Sequence, residues 1–347
     1  MPETTNRPAG TSGSARRRVR PVDVLLVLGS LLVALVAAEG VLRSTGRFRP
    51  PRNPPRCGYW DPAICDMYEL REPYGYALRP SRTAEYLYPE EEPRRRITVV
   101  SNRDGFRSRR ELEEPDDRPR VVVLGDSFVF GEGVAEEERF TDVLEELSPE
   151  RRVDNLGMTG WGPDLMLRAL EGVGTEVHPR AVLLCLYTHD FRRVHPLYAG
   201  VGFPIPRFEL DDGRLVTVPY PPPSPWQKLR VLWAVSPQRA SWESGMWDLH
   251  TAILDRFREL SRTEGFALGV VFLPGRADTD RDRERREWLG DYCDRNAVAC
   301  LDLTDTILSR PRRELFIHGG NPHWNPAGHR LVAETLAPFV QEVVHPR

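Results

Sequence analysis

Lysine is almost missing from this sequence. Lys228 is the single one among 48 basic residues, so arginine carries the other 47 positive charges. An excess of either sign is missing too. The 48 Lys and Arg stand against 51 Asp and Glu, a net charge of −3, and that excludes the strong basic field of a nucleic-acid-binding chain. Cysteine is scarce, five in 347 residues, and no pair has the spacing of a zinc site. A mean hydropathy of −0.45 excludes a multi-span membrane protein but allows one span. Gly131-Glu132-Gly133 extends to neither a full Gly-x-Gly-x-x-Gly nor a Gly-Lys-Ser/Thr loop, which argues against nucleotide binding. No internal repeat is present.

What remains is an ordinary globular composition, 40% apolar and 29% charged. The length suits one enzyme domain with attachments. Residues 1–21 are polar and disordered in character, ending in Arg16, Arg17, Arg18 and Arg20. Val22 to Leu42 then supplies 21 largely apolar residues, close to the roughly 20 that cross a bilayer. Asp23 and Glu39 would sit near the two headgroup regions. The arginines before the span predict a cytoplasmic N-terminus and an exported remainder. An uncleaved anchor is the preferred reading. A signal peptide with Val36-Ala37-Ala38 as its cleavage site stays open. Cys57 with Cys65, and Cys293 with Cys300, are each close enough in sequence to close a short disulfide in an oxidising compartment. Cys185 lies in an apolar run and reads as a core residue.

Residues 43–119, rich in Pro and Arg, read as a stalk that partly packs on the main domain, with a strand at Ile97 to Val100. From residue 120 the pattern becomes regular. Strands over Val121–Leu124, Arg152–Leu156, Ala181–Leu186, Leu268–Leu273 and Val298–Leu303 alternate with helical patterns. The helices are expected at Arg139–Leu147, Pro163–Gly172, Asp280–Arg295 and Pro326–Val344. Such alternation implies a parallel sheet covered on both faces, over residues 120–347. An insertion over 192–245 interrupts it. It holds an Asp212-Gly213 hairpin signal, the proline run Pro219 to Pro225, and Trp226, Trp233 and Trp242, with Trp247 just beyond. A long loop of this kind is a candidate lid or specificity element.

Ligands of open parallel sheets bind beyond the carboxyl ends of the strands, and polar residues stand at those ends. Gly125-Asp126-Ser127 follows the first strand, where a tight turn would project a nucleophilic hydroxyl from the rim. Alone this is weak, because Ser or Asp after a strand is more often a helix N-cap. Gly157 ends the second strand, where a glycine lets a backbone N–H approach an oxyanion. Thr188-His189-Asp190 follows the third. Asn321-Pro322-His323 precedes the last helix, placing His323 as a candidate general base for Ser127.

Together, in this order, these signals resemble the blocks of the SGNH (GDSL-type) hydrolase superfamily. Gly125-Asp126-Ser127 resembles the nucleophile block, Gly157 the glycine of the second, and Tyr187-Thr188-His189-Asp190 the Gly-x-Asn-Asp block. Asn321-Pro322-His323 resembles the terminal Asp-x-His block, with a typical Trp324-Asn325 and Gly328-His329 tail. Ala38-Glu39-Gly40-Val41-Leu42-Arg43 and Ser101 to Arg107 resemble a membrane-anchored bacterial branch related to alginate O-acetyltransferase-like proteins. The resemblance implies a three-layer α/β/α sandwich with a flavodoxin-like sheet. It also implies catalysis by Ser127 and His323 without cofactor or metal, and an oxyanion site made by Ser127, Gly157 and His189.

Two positions depart from the family pattern. His189 stands where the oxyanion asparagine belongs, and it donates an N–H only in the right tautomer or when protonated. Asn321 stands where the triad aspartate belongs. It can orient His323 through its carbonyl but brings no charge to an imidazolium. Asp302 or Asp305 is a candidate substitute carboxylate. The expected function is an exported, membrane-tethered serine hydrolase or acyl transferase of the bacterial cell membrane. Its expected partners are the lipid bilayer and an ester-linked acyl, O-acetyl, group of a cell-envelope glycan. The alternative is a catalytically degenerate carbohydrate-binding or polysaccharide-assembly protein.

Overall fold

A computed structural model of the chain describes residues 20–45, 47, 65–88, 95–195, 198, 202–203, 205–220, 228–318 and 321–345, without the side chains of 87–88 and 238–244. The tail before residue 20, Cys57, Pro221 to Pro225 and Trp226 lie outside the described residues, as does the Trp242 side chain. The chain divides into two compact units, residues 1–50 with 225–239 and residues 51–224 with 240–347.

In chain order, helix α1 (Pro21–Ser44) precedes two hairpins, β1 (Tyr68–Arg71) with β2 (Gly75–Leu78) and β3 (Thr83–Tyr88) with β4 (Arg95–Val100). Strand β5 (Arg120–Gly125) leads into the one-turn helix α2 (Ser127–Phe130), then α3 (Phe140–Leu147). Strand β6 (Arg152–Gly157), α4 (Pro163–Ala169) and β7 (Ala181–Tyr187) follow. A hairpin, β8 (Arg207–Asp211) with β9 (Arg214–Val218), and helices α5 (Arg230–Ala234) and α6 (Pro237–Glu264) separate β7 from β10 (Ala267–Leu273). The chain closes with α7 (Asp280–Asn296), β11 (Ala299–Asp302), α8 (Thr304–Leu308), α9 (Arg312–Leu315) and α10 (Pro326–Val344).

In the larger unit, five parallel strands pair in the order β6-β5-β7-β10-β11. This is the flavodoxin-like order, whose winding reverses between its first and third strands, here β5 and β7. Side chains alternate across a strand, so Val121 and Val123 enter one apolar cluster while Val122 and Leu124 enter the other. Leu144 of α3 and Val332 and Leu336 of α10 cover the first face. Leu165 of α4, Phe257 of α6 and Leu289 of α7 cover the second. The expected three-layer sandwich is present.

Residues 65–119 pack onto the domain more extensively than a stalk would. Tyr68, Tyr76, Ile97, Val99 and Phe106 join the same buried cluster as Leu124 and Leu156. The many arginines suggested exposure, but Arg107 is fully buried. Its guanidinium donates to the carbonyls of Phe130 (3.2 Å), Gly131 (2.6 Å) and Val134 (2.7 Å). Those of Phe130 and Gly131 are groups that a helix leaves unpaired at its C-terminus, and a planar, five-donor fork suits several at once.

The insertion also ends elsewhere than expected. Its hairpin turns at Asp212-Gly213 as the sequence suggests, and Arg207 donates to Asp164 Oδ2 of α4 at 2.6 Å. Gly245, however, lies inside α6, a helix of 28 residues. One helical glycine costs only about 1 kcal/mol, and burial of Ile253, Leu254 and Phe257 outweighs it. The cysteine expectation is corrected in part. Cys65 is disulfide-bonded, whereas Cys293 and Cys300 are free thiols. Cys293 is buried in the α7 packing and Cys300 is exposed on the edge strand.

In the smaller unit, α1 is a helix of 24 residues whose apolar side chains are almost all exposed. At about 1.5 Å per residue it is long enough for a hydrocarbon core of roughly 30 Å. Its C-terminal end and α5 cap each other. Arg230 donates to Leu42 O at 2.6 Å, while Glu39 accepts from Val231 N at 3.1 Å and from Arg43 Nε at 2.7 Å. A cation thus meets helix carbonyls and a carboxylate meets helix N–H groups, the favourable arrangement at both termini.

Gly157 tests the packing beneath α2. A methyl group there would lie 2.5 Å from Phe130 N and 2.6 Å from Val129 Cβ. Gly157→Ala is expected to destabilise the fold by about 1–3 kcal/mol, as overpacking does. A denaturant midpoint equal to that of the wild type would contradict this close approach.

Candidate active site

The site begins where β5 stops. A Cβ on Gly125 would meet Val129 Cγ2 at 2.2 Å and Cys185 O at 3.0 Å, so only glycine lets the strand turn this sharply into α2. Asp126 caps that turn, its Oδ1 accepting from Phe128 N at 3.0 Å. Ser127 then opens the helix and is nearly buried, at 4% exposure.

The histidine arrives on the loop before α10. Phe316 and Trp324 form an isolated β-bridge, Ile317 N donates to His323 O, and Asn325 caps α10 through Gly328 N at 3.0 Å. Trp324 is fully buried with its ring edge-on to Phe128, centroids 4.6 Å apart. His329 fastens the next turn, its Nδ1 accepting from Phe140 N at 3.2 Å. The loop is therefore pinned on both sides of His323.

His323 Nε2 lies 2.8 Å from Ser127 Oγ, and His323 Nδ1 lies 2.8 Å from Asn321 Oδ1. Since an amide oxygen only accepts, Nδ1 carries the proton and Nε2 offers its lone pair to the serine hydroxyl. Burial lowers the His323 pKa to about 4, with Asp126 raising it and Arg193 lowering it. The imidazole is neutral at neutral pH. Ser127 Oγ also lies 3.3 Å from Asp126 Oδ2, but the shorter bond to His323 is the better one for its single proton. Asp302 and Asp305 are not the third member. Asp302 caps Thr304 N at 2.9 Å and lies 3.5 Å from Arg286, while Asp305 opens α8.

Beneath the serine lies a buried charge cluster that sequence reasoning missed. Arg193 Nη1 donates to Asp126 Oδ2 at 2.6 Å, to Trp161 O at 3.1 Å, and also to Asp190 Oδ1. Asp190 Oδ2 in turn accepts from Tyr187 N at 2.9 Å. Asp190 was legible as a motif position, but nothing local in the sequence marks Arg193 as the partner of Asp126.

The oxyanion expectations fare differently. The N–H of Gly157 donates to Asn155 Oδ1 at 2.9 Å, so it is not available to an oxyanion. Asn155 also holds Val129 O at 2.6 Å and Thr141 Oγ1 at 2.8 Å, which makes this corner a brace for α2. Gly160, three residues on, is buried in the left-handed region at φ 81°. Neither its N–H nor that of Ser127 has an acceptor among the described residues. His189 is exposed, its ring tilted on Tyr187 at 4.9 Å and making no hydrogen bond among the described residues. Partial desolvation, with Arg192, Arg193 and Arg285 nearby, lowers its pKa to about 4.

Comparison with known proteins identifies a family for the chain. The profile of the GDSL-like Lipase/Acylhydrolase family matches residues 123–331. No curated protein matches the chain. Among solved structures, it is similar to a G-D-S-L family lipolytic protein from Desulfitobacterium hafniense, with 15% identity over 64% of this chain and 99% of that one, TM-score 0.43. It is also similar to the psychrotrophic esterase EstA from Pseudoalteromonas sp., with 13% identity, 64% and 97% coverage, and TM-score 0.43. An acetyl xylan esterase, AlAXEase, is similar with 14% identity, 64% and 99% coverage, and TM-score 0.42. Because the matched segment runs from the strand before Ser127 to the helix after His323, the chain belongs to the GDSL-like lipase/acylhydrolase family.

Proposed function

We propose that this chain is a membrane-tethered serine esterase or acyl transferase acting on ester-linked acyl groups, with O-acetyl groups of a cell-envelope glycan as its substrate class. The observation that carries the reading is the relay from Ser127 Oγ through His323 to Asn321, with 2.8 Å at each link. As Ser127 Oγ bonds to the ester carbonyl, its proton passes to His323 Nε2. The carbonyl oxygen becomes an oxyanion, for which the N–H groups of Ser127 and Gly160 are candidate donors, since neither has an acceptor among the described residues. Collapse expels the alcohol, which takes the proton from His323 and leaves an acyl-serine. Water or a second hydroxyl then accepts the acyl group by the same steps in reverse. His189, at the rim, is the candidate contact to the substrate.

Tethering is supported by the mutual capping of α1 and α5, which gives Glu39 and the end of α1 partners far along the chain. The arginines before α1 favour a catalytic domain outside the cytoplasm. Retention has a direct check. N-terminal sequencing of the membrane-bound protein should find residues upstream of Val22, and a mature N-terminus at or near Glu39 would overturn it.

The chemistry is tested with a small acetyl ester. Ser127→Ala should lower kcat to the background, a loss of up to about 10⁶-fold by analogy with other serine hydrolases. Equal rates in wild type and Ser127→Ala would instead favour a non-catalytic carbohydrate-binding protein. Because the base must be neutral, activity should persist as pH falls and disappear only near the His323 pKa of about 4. In Asn321→Asp, a carboxylate would stabilise the imidazolium and raise that pKa. Its acid limb should therefore move upward by about 1–3 pH units, with kcat higher by less than the ~10⁴ known for the reverse change in a serine protease.

A further inference from the structure

A neutral Asn321 leaves the imidazolium of His323 without the usual carboxylate. We propose that Asp126, the residue before the nucleophile, supplies that missing negative charge, and that Arg193 and Asp190 hold it in position. The proposal rests on the reading of Ser127 and His323 as a catalytic pair.

Capping explains only half of Asp126. Its Oδ1 satisfies Phe128 N, a task that serine or asparagine performs equally well. Its second oxygen points the other way, 2.6 Å from Arg193 Nη1 and 3.3 Å from Ser127 Oγ. The same Oγ lies 2.8 Å from His323 Nε2. One hydroxyl oxygen therefore separates the carboxylate from the imidazole. Asp126 and Asp190 are both fully buried, and in such surroundings charge–charge effects are far less screened than at a surface. A buried ion pair is by itself weak evidence for stability, so a cap alone does not account for the charge.

The cluster is also unbalanced. Two carboxylates, Asp126 and Asp190, share one guanidinium. Burial and the Asp126 charge push the Asp190 acid well above its ordinary range, so the cluster resists its second negative charge. An imidazolium at His323 provides a further positive charge beside Asp126. Other neighbours of His323 do not substitute. Asn321 and Ser127 are neutral, Phe128 and Trp324 are apolar, Arg193 disfavours the imidazolium, and burial keeps His329 neutral with a pKa of about 3. Asp126 is thus a positioning and charge-compensating residue.

The test is a double-mutant cycle between positions 126 and 321, read as kcat and as a pH profile on a small acetyl ester. Asp126→Asn should lower kcat about 10- to 100-fold in the wild-type background, but about threefold or less in Asn321→Asp, where a carboxylate already faces His323. In the Asn321→Asp background the acid limb should fall by about one pH unit when Asp126 is replaced, because removing a nearby anion lowers an imidazole pKa. An equal loss in both backgrounds with an unmoved limb would mean that Asp126 is only a cap, and would overturn the proposal. Arg193 keeps Asp190 and Trp161 O as partners in the variant. Should Asp126→Asn fail to fold, Asp126→Ser removes the charge while keeping an N-cap oxygen. An NMR titration of the His323 ring in Asn321→Asp, with and without Asp126, is independent of turnover. Coincident midpoints would refute the electrostatic coupling, whereas a lower midpoint without Asp126 in a protein that hydrolyses nothing would keep the coupling and sink the enzymatic reading.

Discussion

The edge-on contact of Trp324 with Phe128 is the interaction on which the site depends. Ser127 and His323 are separated by almost the whole catalytic domain in sequence, and each rides on a short segment with little stability of its own. A one-turn helix cannot hold a nucleophile in place, since helix nucleation is costly and four residues gain little from it. Burying Trp324 against Phe128 joins the two segments through apolar area, and the 2.8 Å bond between Oγ and Nε2 follows from that seating. His329 and Phe140 extend the same contact into the flanking helices.

Around this seam, arginine does much of the polar work. Arg107 ties the first hairpins of the larger unit to the end of the nucleophile helix. Arg139 donates to Arg107 O and pairs with Asp142. Arg207 ties the insertion hairpin to α4 through Asp164. All three are fully buried or nearly so. A lysine could not serve in these places, because its ammonium is a compact, strongly hydrated point charge, whereas a guanidinium fans several donors across carbonyls and carboxylates. The bias against lysine therefore has a structural use.

The oxyanion side shows how a glycine can be needed for a reason other than the one first assigned. Gly157 is required where β6 passes beneath α2, and its N–H is spent on Asn155. Two roles compete for any glycine at a strand end, close approach of a ligand and close approach of the chain itself. Here the chain occupies the space.

The sequence alone determined the sheet and marked Ser127 and His323, the pair that the fold brings together. Unbroken β-branched runs such as Val121 to Leu124 specify doubly buried parallel strands. A hydroxyl after the first strand and an imidazole before the last helix meet because the fold brings strand ends to one rim. The hairpin at Asp212-Gly213 was equally legible, because its turn chemistry is local. Tertiary structure decided what has no local signature. Whether residues 65–119 pack or dangle depended on the partners of buried arginines such as Arg107, and composition cannot distinguish those from exposed ones. The end of the insertion depended on a helix buried strongly enough to carry Gly245. That Asn321 faces His323, while Asp302 is engaged with Thr304 and Arg286, needed the folded loop to decide. The pairing of Asp126 with Arg193 joins residues far apart in the chain, and only folding could set one against the other.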